Sequence, residues 1–115
     1  MSISDRVNQK LNQINRMSQQ EGLAYIDQLG RKALADDKFN RALESDKNWE
    51  ICQNVDEETL ERLTRMADAG NKQAMYDTAA VHALIGHELK KQNELQKSII
   101  SVVRAHLYVD EAQNA

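Results

Sequence analysis

The side chains with the widest chemical repertoire in this chain are three histidines, one cysteine and a run of carboxylates. His82 and His87 stand five residues apart, a spacing that turns the second ring off the face of the first. A straight helix therefore does not let both hold one metal, as residues four apart can. His106 belongs to another segment, and no carboxylate or thiolate stands at a recognisable ligand spacing. The expectation is structural: His82 packed inside a helical hairpin with one nitrogen hydrogen-bonded, and His87 in solvent near a helix end. Cys52, the single cysteine, excludes an internal disulfide, suits a reducing compartment and reads as a small buried hydrophobe. Glu57, Glu58 and Glu61 are accounted for by helix-start electrostatics and by pairing of Glu58 with Arg62 and Glu61 with Arg65. No serine-glycine elbow, phosphate-cradling loop or dinucleotide fingerprint is present, so neither an enzyme nor a cofactor or metal site is expected.

The elements that carry these residues are helical. Proline is absent, aromatics are scarce, and apolar residues recur at three- and four-residue spacing. Asp56 is placed to cap a helix whose apolar stripe runs through Leu60, Leu63, Met66 and Ala67, with Val55 and Leu60 positioned as a hydrophobic staple. Gly70 suits the left-handed residue that closes that helix, and Asn71 suits the cap of the next, so the chain should turn within about two residues. So short a connection favours antiparallel packing. In the second helix Ala74, Met75, Ala79, Ala80, Ala83 and Leu84 permit close approach, while Tyr76 and Val81 add bulk.

These residues carry a resemblance. Ala67-x-x-Gly70-Asn71-x-x-Ala74-x-Tyr76-x-x-Ala79, followed by Gly86, resembles the core of a Sel1-like repeat, a relative of the tetratricopeptide repeat. The resemblance implies paired antiparallel helices across residues 60–86. Neither flank repeats the pattern, so the hairpin reads as the centre of a compact domain rather than one unit of a solenoid.

Upstream, Ser2 and Asp5 outline a capping box ahead of an amphipathic helix through Ile3, Val7, Leu11, Ile14 and Met17. Gly22 interrupts the pattern before a second helix through Leu23, Tyr25, Ile26, Leu29, Ala33 and Leu34, in which Gly30 marks a break or a close crossing. Asp36 or Asp37 should cap a short third helix, followed by one or two turns around Trp49, read as a core anchor. Beyond Gly86 the pattern loosens over 87–93, as a loop or continued helix. A last helix follows from Glu94, with Leu95, Ile99, Val102, Val103 and Val109 facing one way and Ile100 and Leu107 widening the apolar surface. The polar tail should fray from about residue 110.

The fold expected is thus all-α: a single domain over 1–115, a compact irregular bundle or repeat-like stack of five or six helices around the central hairpin. No apolar run is long enough to span a membrane and no signal-peptide core opens the chain, so a cytoplasmic location without membrane contact is expected. The middle third, residues 36–70, is acidic, with ten acidic against five basic side chains. The function read from this is a small non-enzymatic protein-binding module, an adaptor, inhibitor or regulator. Its expected contact residues are Glu57, Glu58 and Glu61, which suit a basic partner surface, and Ile100, Arg104 and Leu107 on the edge of the last helix. That wide apolar helix also suits a homo-oligomer. The alternative is a nucleic-acid-binding regulator using the amide-rich, weakly basic first helix through Arg6, Lys10, Gln13 and Arg16.

Overall fold

Side-chain caps set where four of the described helices begin. The computed structural model describes residues 1–45 and 57–115, and the expectations for Trp49, Cys52, Val55 and Asp56 lie outside the described residues. Ser2 accepts from the Asp5 amide at 3.1 Å and opens α1, Ile3–Arg16. Ser18 accepts from the Glu21 amide at 3.2 Å and opens α2, Gln19–Leu34, so Gly22 lies inside the first turn of α2 and is no break. Helix α2 also passes through Gly30 without interruption, and that glycine rests beside the His106 ring. Asp36 accepts from the amides of Lys38 and Phe39 and opens α3, Asp37–Glu44, whose surface carries the Asp37–Arg41 ion pair. Next come α4, Glu57–Asp68, and α5, Lys72–Lys91, the latter capped by Asn71 through the Ala74 amide. The last helix, α6, spans Leu95–Gln113.

Both late turns close in the same way. Gly70 takes φ +95°, and the Asn71 amide reaches back to the Met66 carbonyl at 3.1 Å, a six-to-one closure of α4 that needs a residue tolerant of the left-handed region. Asn93 plays that part after α5 with φ 63°, while the Glu94 amide bonds the Leu89 carbonyl at 2.9 Å. Helix α5 therefore continues past Gly86 to Lys91, the continued-helix alternative for the stretch 87–93. Among the described residues the bundle is all-α, and no helix is long and apolar enough to cross a membrane.

The α5–α6 pair is the spine. Ala79, Ala80 and Val81 of α5 and Val103, Leu107, Val109 and Ala112 of α6 are buried, and Phe39, Val7, Leu29 and Ala33 close over them from the other helices. Gly86 sets the closest approach. A Cβ added there would stand 2.7 Å from Val102 Cγ2 and 3.0 Å from the Ser98 carbonyl oxygen, and Ser98 Oγ donates to the Gly86 carbonyl at 2.6 Å. Alanine would gain about 1 kcal/mol of helix propensity. Its methyl, however, meets a stiff branched side chain and a backbone atom, so the helices must part. We expect Gly86→Ala to destabilise the fold by about 1–3 kcal/mol net, read from the urea midpoint; a stabilised variant would contradict this crossing.

Polar ties between distant segments fix the outer helices on this spine. Asp68, in the last turn of α4, accepts from the Ser4 amide at 2.8 Å and the Ser4 hydroxyl at 2.7 Å, capping α1 from outside. The Asp36 carboxylate accepts from Tyr76 Oη at 2.8 Å and Gln113 Nε2 at 3.0 Å, joining α3, α5 and α6. Burial works against its charge, but these bonds and its capping amides outweigh that and hold its pKa below the usual carboxylate value. Burial and the same bond push Tyr76 up to about 12. Helix α6 runs to Gln113 and its end is tied to α1: Arg6 Nε lies 3.2 Å from each oxygen of the buried Glu111 carboxylate, and Lys10 Nζ lies 3.0 Å from Asp110. The tail expected to fray from about residue 110 thus continues α6 as far as Gln113, with cations of α1 beside Asp110 and Glu111.

Candidate protein-binding surface

The apolar pattern of α6 is not buried along its whole length. Leu95 is 56% exposed, Ile99 58% and Ile100 48%, whereas Leu107, two turns further on, is wholly buried. The difference lies along the helix axis. Residues 87–97 are exposed except for the half-buried Leu89, so the end of α5 and the start of α6 project as a hairpin tip with Ser98 and Gly86 as its inner contact. Leu95 and Ile99, expected to face one way with Val102, Val103 and Val109, line an apolar groove of about 470 Å³ with Ile26, Val102, Val103 and His106. Helix α2 forms the other wall, and its Leu23, one turn before Ile26, is also exposed.

Charge at this groove is one-sided. Lys90 lies on its lip. The neighbouring Lys91 and Lys97 pair loosely with Glu88 and Glu94 at 3.9 and 4.0 Å, while Lys90 has no ion-pair partner within 4 Å among the described residues. His106 meets the Phe39 ring edge-on at 6.1 Å, and burial lowers its pKa, favouring the neutral ring at the groove's inner end. An apolar trough with a cation at the lip suits an amphipathic segment bearing an acidic side chain beside its apolar stripe.

The residues expected at the surface are distributed unevenly. Glu57, Glu58 and Glu61 are exposed on α4, as is Ile100 on α6. Leu107 is corrected to the core: it is wholly buried, because α1, α2 and α5 pack over that part of α6. Arg104 is partly buried and points to the other side of α6 from the groove. Of the residues read for nucleic acid, Arg6 and Lys10 are engaged by Glu111 and Asp110. Burial opposes the Lys10 charge, but the bond to Asp110 and the attraction of both carboxylates raise its pKa. Gln13 and Arg16 remain exposed beside Gln9 and Asn12.

The histidines are dispersed. His82 is buried and stacked on Tyr108, with centroids 5.7 Å apart and planes at 13°, and His87 is exposed. Among the described residues no three metal-ligating side chains converge. Leu95 and Ile99 were visible as apolar residues in the sequence, but the signal that they face outward, the shortness of the helices packed beside them, is a property of the assembled bundle.

Comparison with family models, curated proteins and solved structures finds no match for this chain.

Proposed function

We propose that this protein is a non-enzymatic protein-binding module whose contact surface is the groove between α2 and the first half of α6. The observation that carries this reading is the pair Leu95 and Ile99, more than half exposed one turn apart and opening onto an apolar trough. Isolated exposed leucines are ordinary, but a grooved cluster of them on a projecting tip is the usual mark of a docking surface. Covering the exposed parts of these two side chains contributes on the order of 1 kcal/mol each. The partner that fits is an amphipathic helix of another protein, its apolar residues in the trough and an acidic residue reaching Lys90. The αα-hairpin of α4 and α5, which resembles a Sel1-like unit, is in keeping with a binding role. Glu57, Glu58 and Glu61 lie on α4, away from the groove, and would serve a second, basic contact.

The combined substitution Leu95→Asp and Ile99→Asp tests this. Because both side chains are exposed, unfolding free energy should stay within about 0.5 kcal/mol of the parent. Affinity for a partner identified by capture from the native lysate should fall by roughly a hundredfold, the equivalent of two lost apolar anchors and two desolvated charges. Unchanged affinity in a folded double variant would remove the groove from the interface. A second copy of this chain as the occupant predicts instead a concentration-dependent mass by light scattering that the same substitutions abolish.

A further inference from the structure

A second cleft, of about 490 Å³, opens on the opposite side of α6 from the groove, between α1, α4, α5 and α6. The stacked and buried His82 and Tyr108 rings lie at its inner end, Arg104 stands partly buried beside them, and Glu57, Glu61 and Arg65 are exposed at its rim. Neither arginine has an ion-pair partner within 4 Å among the described residues, and no side chain there hydrogen-bonds the His82 ring. The expected Glu61–Arg65 pair does not form. Four charges, two of each sign, therefore line one cleft without neutralising each other by contact.

We propose that this cleft binds a small zwitterion of the amino-acid type, its carboxylate held by Arg104 and the edge of the His82 ring and its ammonium group by Glu57 and Glu61. The guanidinium fork matches a carboxylate, and a partly buried arginine without a partner is costly until an anion meets it. Arg104 lies close enough to influence both rings: after burial, it is the second cause that pushes His82 down to about 4, and it draws the Tyr108 hydroxyl down against the burial and the Asp68 charge that raise it to about 12. His82 thus stays neutral at pH 7, offering one donor and one acceptor to a ligand. Other ligand classes fit less well. A phosphate would bring two negative charges against Glu57 and Glu61, and a simple amine would leave Arg104 unpaired.

The test is proton–carbon NMR of the intact labelled protein, following the His82 ring during titration with the free amino acids, simple dipeptides, their N-acetylated and amidated counterparts, and inorganic phosphate. The expected result is a saturable His82 shift with at least one zwitterion at millimolar concentration. Affinity should be about tenfold or more weaker for the blocked counterpart, for Arg104→Gln and for the rim variant Glu61→Gln. Glu61 is exposed, so its variant tests the ammonium contact even if Arg104→Gln disturbs folding. The proposal is overturned if no zwitterion shifts His82 saturably, if phosphate or the blocked ligands bind as tightly, or if Glu61→Gln binds like the parent.

Discussion

Leu107→Ala should lower the unfolding free energy by about 2–5 kcal/mol, whereas Ile100→Ala, seven residues earlier on the same side of α6, should cost less than about 1 kcal/mol. Leu107 is wholly buried among the residues of the central core, so its truncation removes transfer energy and leaves a cavity that rigid neighbouring helices fill only in part. Ile100 has no comparable surroundings, since nearly half of its surface already meets water. Urea unfolding of the two variants beside the parent measures the contrast. Equal losses would mean that the bundle does not end where the hairpin tip begins.

Acid should weaken the fold as pH falls from about 6.5 toward 4. Burial, then the nearby Arg104 charge, hold the His82 pKa at about 4 against an ordinary 6.5. A base with a depressed folded pKa binds fewer protons in the folded state than in the unfolded state through that window. Its contribution to stability is therefore complete above about pH 6.5 and is lost as pH falls toward 4. The full difference amounts to about 3 kcal/mol. His106, lowered by burial at the groove, acts in the same direction, whereas the hydrogen-bonded Asp36 carboxylate adds its loss only at lower pH. Unfolding free energies measured at intervals between pH 7 and 4.5 should fall steeply in the parent and less steeply in His82→Gln. Identical slopes would place His82 in water rather than against Tyr108.

The contrast between Leu107 and Ile100 also shows what a sequence carries. Periodicity assigns both to one side of α6, and it does so correctly. It says nothing of how far along the axis the neighbouring helices extend, and that extent makes one residue core and the other surface. Local chemistry was easier to read: Ser2, Asp36, Asn71 and Gly70 occupy the capping and closing positions that their side chains and backbone freedom suggest. Gly22 misled because a glycine inside a helix is tolerated when packing supports the turn, whereas Gly30, inside an unbroken α2, lies at a close approach to His106 of α6, the second of the two expectations for it. Gly86, read as the closing residue of a repeat, is instead the point where α5 and α6 touch. The ties from Asp36 to Tyr76 and Gln113, and from Arg6 and Lys10 to the end of α6, join residues 40 to 105 positions apart. No local pattern announces such pairs. They also engage two of the basic residues that made the first helix suggestive of nucleic acid, while the groove and the polar cleft on either side of α6 arise only where three and four helices meet.

The central claim, that the trough between α2 and α6 is where a partner docks, is tested most directly by placing a photo-activated cross-linking side chain at Ile99 in the full chain and at the exposed Gln9 as a control, then irradiating in the native lysate. The prediction is a discrete adduct from position 99, mapped to an apolar helical segment of one protein and absent from position 9. Excess unlabelled parent should abolish it, and excess Leu95→Asp, Ile99→Asp protein should not. Adducts that are the same from both positions, or that the double variant suppresses as well as the parent does, would contradict it.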